Sequence, residues 1–109
     1  MVEEIAGSDF DREVLQSDLP VFACFTTAVC GTCFALCFVI EDLSQEYESR
    51  MKFAKIDVEK EPELAARYDI LPLPAVLLFR HGQPVKRLAG FQSKAYLRNS
   101  LNALIAGSE

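Results

Sequence analysis

The sequence predicts an α/β fold, a mixed central β-sheet flanked by helices on both faces, and three observations carry that expectation. Pro20-Val21-Phe22-Ala23-Cys24-Phe25-Thr26 is a run of small, β-branched and aromatic residues without alternation, as a strand buried on both faces reads, and Ala75 to Phe79 is a second continuous apolar run. Segments with apolar residues at helical spacing stand between and after them, so strands and helices alternate along the chain. The 109 residues are 50% hydrophobic and 25% charged, with no repeat, low-complexity stretch or Pro-, Gly- or Ser-rich linker, which makes residues 1–109 a single domain.

Each element follows from a local pattern. A weak edge strand near Val2 to Ala6 comes first. A short helix then runs from about Asp9 to Gln16, with Phe10, Val14 and Leu15 on one face and Ser8 or Asp9 able to cap its first turn. After the buried strand at Pro20–Thr26, the apolar positions Cys33, Leu36, Cys37, Ile40, Leu43 and Tyr47 keep helical spacing while Glu41, Asp42, Gln45, Glu46 and Glu48 take the other side. Phe34, Phe38 and Val39 fall on the flank of this helix, which leaves at least one aromatic ring partly exposed to a partner or a second copy. Lys52 to Val58 has the period of a strand, and Glu61 to Tyr68 is a short helix with Pro62 tolerated in its first turn. Ala75 to Phe79 is the next strand. The Gly82 turn leads to Pro84–Ala89, and Ser93 caps a last helix carrying Tyr96, Leu97, Leu101, Leu104 and Ile105. The order is β-α-β-α-β-α-β-β-α.

Charge and hydropathy exclude several functions. Eleven basic against sixteen acidic residues give a net charge of −5, leaving no basic surface to neutralise a phosphate backbone or an anionic membrane, so neither nucleic acid nor membrane is an expected partner. The strongest apolar run, Phe34 to Ile40, is far short of a bilayer span. The start, Met1-Val2-Glu3-Glu4, is acidic where an export signal carries positive charge, and a cytoplasmic location is expected. The lone histidine, His81, lies in a turn and reads as an exposed turn residue rather than a base or ligand.

The four cysteines, Cys24, Cys30, Cys33 and Cys37, cluster in one short stretch instead of being spread like the staples of a secreted domain, so they read as a site. Cys30-Gly31-Thr32-Cys33 stands between a buried strand and a helix. That position puts the first sulfur at a helix N-terminus, where the dipole and free N–H groups favour thiolate over thiol. Two intervening residues let the sulfurs meet as a disulfide, with the first exposed and the second covered by the following turn. This is the chemistry of a redox dithiol, and it calls for neither a cofactor nor a metal.

With these features the sequence resembles the thioredoxin family over nearly its whole length. Besides the Cys30-Gly31-Thr32-Cys33 motif, Phe53-Ala54-Lys55-Ile56-Asp57-Val58 is similar to the family's third strand, with Lys55 at its buried lysine. Leu73-Pro74-Ala75-Val76-Leu77-Leu78-Phe79 is similar to the strand entered through a cis proline, and Gly82 and Gly90 match two late glycines. The resemblance implies a thioredoxin fold and a protein dithiol-disulfide oxidoreductase working through Cys30 and Cys33, with Gly31, Thr32, Pro74, Lys55 and Cys24 in support. It implies a docking surface of Val29, Leu73, Pro74, Gly90 and Phe91, where Leu73 offers backbone groups to an extended substrate. Disulfide-containing protein substrates and a thioredoxin-reductase-like electron donor are the implied partners, and a monomer is expected.

Four positions depart from the family pattern. Val29 replaces the tryptophan before the first cysteine, Thr32 the proline between the cysteines, Phe38 the proline that kinks the second helix, and Cys24 the buried aspartate. At Cys24 burial is expected to keep the thiol neutral, so that it passively replaces a carboxylate that in the family helps deprotonate the second cysteine. Two other readings stay open. Cys30, Cys33 and Cys37 have a C-x2-C-x3-C spacing found in some iron-sulfur sites, with Cys24 as a fourth thiolate, although Cys33 and Cys37 on a packed helix fit such a loop-held cluster poorly. A redox-inert adaptor on the same scaffold predicts the loss of one active-site cysteine, and both are present.

Overall fold

The computed structural model describes residues 2–107. Its centre is strand β2 (Val21–Thr26), buried along its whole length. A five-stranded sheet in the order β1-β3-β2-β4-β5 is built around it from β1 (Glu3–Glu4), β3 (Lys52–Asp57), β4 (Ala75–Arg80) and β5 (Gln83–Ala89). The first three neighbours, β1, β3 and β2, run parallel, whereas β4 and β5 are antiparallel, which makes this the mixed sheet of the thioredoxin fold. Pro84 has no N–H to give a ladder and sits in β5, an edge strand where none is required on the outer side.

Strand alternation sends β2 residues into two cores. Phe22 and Cys24 face one side with Leu36, Ile40, Leu43 and Leu97, which come from helices α2 (Gly31–Glu46) and α4 (Lys94–Ile105). Val21, Ala23 and Phe25 face the other with Phe10 and Leu64, from helices α1 (Gly7–Phe10) and α3 (Pro62–Arg67). Helices therefore cover both faces. On the outer side of α2 and α4, the Glu46 carboxylate is bonded by Lys94 at 3.1 Å and Arg98 at 3.1 Å, and these hydrogen bonds hold its pKa below the ordinary value.

The first helix differs from the expected Asp9–Gln16. It starts at Gly7, has Ala6 at its N-cap with no side-chain cap, and passes into a wider turn, Asp11–Leu15, in which Gln16 N–H reaches Asp11 O at 2.9 Å. Asp9 does not cap because the helix starts two residues before it, which places Asp9 inside the first turn, where its carboxylate pairs with Arg12 at 3.0 Å. Burial of Phe10 and Val14 is retained, since the wide turn delivers both to the core. The edge strand is shorter than Val2–Ala6, although Ile5 N–H still reaches Lys55 O at 2.9 Å beyond it. Ser93 does cap α4, its hydroxyl accepting from Tyr96 N–H at 3.1 Å.

The β4–β5 turn requires its glycine for two reasons. Gly82 has φ +77°, and a Cβ there would stand 2.8 Å from the Leu15 carbonyl oxygen. Gly82→Ala is expected to destabilise the fold by about 1–3 kcal/mol in urea unfolding. An unchanged midpoint would show that the turn and the Leu15 backbone shift freely.

Candidate active site

The register Phe25↔Ala75↔Ala89 brings three connections to one end of the sheet: the loop after Thr26, the segment before Ala75 and the turn after Ala89. The cysteine motif lies on the first, Leu73 and Pro74 on the second, Gly90 and Phe91 on the third. The Leu73–Pro74 peptide bond is cis, as is Leu71–Pro72. Pro74 O accepts from Gly90 N–H at 2.7 Å, and Gly90 has φ +77°, a region glycine enters without strain. Val29 is 84% exposed and Phe91 is exposed, whereas Leu73 is half-buried against the core that holds Phe25.

Cys30 is the N-cap of α2. Its φ of −101° and ψ of 111° are extended, and its sulfur accepts from Cys33 N–H at 3.1 Å, the position a capping oxygen usually takes. Cys30 and Cys33 form a disulfide with Cα atoms 5.2 Å apart. Cys30 is half-buried and Cys33 almost wholly covered, as the one-turn offset demands. The Thr32 hydroxyl stands 3.5 Å from Cys30 Sγ. The backbone donor that reaches this sulfur is that of Cys33.

A cavity of about 220 Å³ opens beside the disulfide, with Cys30, Cys33, Phe34, Cys37 and Lys55 among its lining residues. Glu4 and Asp57 also line it, and sequence reasoning missed both. Asp57 was legible from strand period, since it stands two residues after Lys55 on β3. Glu4 was not, because its place depends on the β1–β3 register Glu4↔Lys55. Thr27 ties the loop before the cysteines to the turn after β3 by donating to Glu59 at 2.6 Å.

Cys24 lies next to this cavity rather than in it. It pairs with Lys55 in register and lines a smaller cavity shared with Lys55, Cys37 and Glu41. Burial drives the Cys24 pKa up from 9.0 to about 12, with the neighbouring Cys37 adding to the rise and Lys55 opposing it. The thiol is therefore neutral at neutral pH, as expected. The folded pKa lies above the ordinary value, so the stability that protonated Cys24 contributes is complete below pH 9.0 and is lost as pH rises towards about 12. Lys55 is half-buried and makes no ion pair among the described residues. Cys37 is half-buried and free, so it is more open than the small buried hydrophobe that its helical position suggests.

The predicted site thus divides. Cys30, Cys33 and Lys55 meet at the main cavity and Cys24 abuts it, while Val29, Leu73, Pro74, Gly90 and Phe91 line neither cavity and belong to the loops at the same end of the sheet. Gly31 and Thr32, between the two cysteines, are exposed. Among the described residues no group of three or more His, Cys, Asp or Glu side chains comes together to hold a metal ion. Among them, too, no helix is long and apolar enough to cross a membrane.

Comparison with known proteins agrees with this geometry. The thioredoxin family profile matches residues 1–103. Thioredoxin from Porphyra purpurea is 33% identical over 105 residues, covering 96% of this chain and 98% of that protein. Thioredoxin 1 from Nostoc sp. is 33% identical over 98 residues, covering 90% of this chain and 92% of its own. A bifunctional thioredoxin reductase/thioredoxin from Mycobacterium leprae is 34% identical over 102 residues, where 94% of this chain spans 22% of the longer protein. A whole-chain match of this kind, together with a capped Cys30–Cys33 disulfide between strand and helix, places the chain in the thioredoxin family of thiol-disulfide oxidoreductases.

Proposed function

We propose that the protein reduces disulfides of other proteins, with Cys30 as nucleophile and Cys33 as resolving thiol. The observation that carries this reading is the position of Cys30 at the N-cap of α2, its sulfur accepting a backbone N–H while that of Cys33 is covered. Cys30 thiolate attacks one sulfur of the substrate disulfide. A mixed disulfide forms and the first substrate thiolate leaves. Cys33, as thiolate, then attacks Cys30 Sγ, the second substrate thiolate leaves, and the chain carries away the oxidising equivalents as the Cys30–Cys33 disulfide.

Val29, Leu73, Pro74, Gly90 and Phe91 form the docking surface in this reading, and Cys24, Lys55, Gly31 and Thr32 support the cysteines. A separate thioredoxin-reductase-like protein returns the dithiol, a proposal supported by the relative in which reductase and thioredoxin are one chain. The free thiols of Cys24 and Cys37 fit a monomer in a reducing compartment such as the cytoplasm. Insulin reduction with dithiothreitol as donor tests the activity. Precipitation of insulin well ahead of the donor alone is expected, and equal rates would overturn the proposal.

The Thr32 hydroxyl near Cys30 favours the thiolate, and so the reduced form, where a proline offers no donor. Thr32→Pro is expected to lower the reduction potential by about 30 mV, the equivalent of one hydrogen bond to a charged sulfur. A potential that rises or stays constant would show that loop rigidity outweighs this donor.

Cys24 supplies no carboxylate to take the Cys33 proton, which leaves a site that attacks readily and resolves slowly. Cys24→Asp is expected to speed release of the mixed disulfide near neutral pH by about tenfold or more and to raise the Cys30 pKa, while Cys24→Ala changes little. A large loss of activity in Cys24→Ala would show that this thiol takes part in the chemistry.

A further inference from the structure

The face that carries the disulfide has an apolar wall that the mechanism above does not use. Phe34 is 69% exposed and Phe38 is 64% exposed, although both follow the cysteines on a helix whose other side is core. Their rings meet edge to face with centroids 5.2 Å apart, so the pair is ordered by its own contact. We infer that Phe34 and Phe38 form a docking surface for an uncharged, apolar segment of the protein whose disulfide is being reduced. The inference rests on the oxidoreductase reading and names its substrate class.

Charge distribution is the first support. From Leu19 to Ile40 the chain carries no Asp, Glu, Lys, Arg or His, yet the net charge of the protein is −5. Within α2, Gly31, Thr32, Phe34, Ala35 and Phe38 are all exposed or half-exposed, and the acids begin only at Glu41 and Asp42. A helix surface that merely meets water is charged, as α4 shows with Lys94 and Arg98, whereas the centre of a docking surface is aromatic and poor in charge. An occupant matched to this surface is apolar and uncharged.

Position is the second. Phe34 lines the cavity beside the disulfide together with Cys30 and Cys33, so a segment resting on the ring pair is continuous with the place where a substrate disulfide must approach. The charged groups of that cavity, Glu4, Lys55 and Asp57, come from the strands and not from α2. Glu4 is taken up by Lys60 at 2.9 Å, and the Asp57 carboxylate by Glu59 N–H at 2.8 Å. A second copy of this chain fits less well. The exposed parts of the two rings amount to about 200–300 Å², against about 800 Å² per partner in a stable interface, and two chains of charge −5 repel.

The test compares two synthetic cystine-bridged peptides that differ only beside the disulfide, one carrying Leu and Phe and the other Gln and Ser, as substrates of the full chain. Wild-type kcat/KM is expected to favour the apolar peptide by about tenfold. The Phe34→Ser/Phe38→Ser double variant should bring that ratio close to one, and Phe34→Leu/Phe38→Leu should keep most of it. Equal use of both peptides by the wild type, or a ratio unmoved by the serine substitutions, overturns the docking surface. So does a wild-type dimer that the serine substitutions dissociate while the ratio stays put, since the face then serves self-association. Reduction of neither peptide overturns the oxidoreductase reading and the docking surface with it.

Discussion

Cys30→Ser is expected to reduce insulin-reducing activity to the background of the donor alone, whereas Cys33→Ser is expected to attack once and stop as a mixed disulfide with its substrate. The difference follows from where the two sulfurs sit. Cys30 caps α2, with the Cys33 N–H at 3.1 Å and the Thr32 hydroxyl at 3.5 Å, and both groups stabilise negative charge on its sulfur. Cys33 is 2% exposed, so a protein disulfide cannot reach it. Without Cys30 no thiolate faces the substrate. Without Cys33 the first step survives and the second has no nucleophile. The measurement is thiol-specific pull-down or mass analysis of adducts formed by each variant with insulin. Trapping by Cys30→Ser, with none by Cys33→Ser, would reverse the assignment.

Phe79→Ala is expected to destabilise the fold by about 3–5 kcal/mol. Phe79 is fully buried and sits edge to face with Phe10 at 5.9 Å and Tyr68 at 5.6 Å, so it joins the sheet to the first helix and to the residue that ends α3. It also stands at the register shift in the β4–β5 ladder, opposite Val21 and Pro84. Domains of this size are stable by about 5–15 kcal/mol, so the loss is a large part of the total. A urea midpoint lowered by about 2 M is the expected readout. Phe38→Ala, on the exposed flank of α2, should stay within about 0.5 kcal/mol of wild type. Equal losses at the two positions would mean that the Phe34–Phe38 pair contributes to folding and not only to the surface.

The central elements were legible because their signals are local. A continuous run of six residues rich in β-branched and aromatic side chains, such as Val21–Thr26, is the length and composition of a strand covered on both sides, and a dithiol between such a run and a helical pattern falls at a helix start by chain order alone. What could not be read depended on contacts between distant segments or on which of two neighbours a side chain chooses. Asp9 looked like a cap, yet the helix starts ahead of it at Gly7 and its carboxylate turns to Arg12. Glu4 joined the cavity wall only through the pairing of a two-residue strand with β3. Cys37 carried the helical spacing of a core residue, yet it borders two cavities, both shared with Lys55 of β3. The exposed aromatic flank was legible as a misfit in the helical stripe, although how far each ring is exposed was not.

The neutral thiol at position 24 ties these observations to the chemistry. Burial raises its pKa to about 12 and Lys55 is too weak an influence to reverse that, so the site keeps a cation and loses the carboxylate that the family pattern places there. In the proposed mechanism this leaves attack by Cys30 intact and makes proton removal from Cys33 the slow step, which the Cys24→Asp comparison tests.

The central claim, that Cys30 and Cys33 form the reversible couple of this protein, is tested most directly by a redox titration against glutathione with the disulfides mapped by mass spectrometry at each point. One two-electron transition is predicted, with Cys30 bonded to Cys33 at the oxidised end, Cys24 and Cys37 free throughout, and a potential less reducing than about −270 mV. A disulfide that includes Cys24 or Cys37, or a Cys30–Cys33 pair that never exchanges with glutathione, would contradict it.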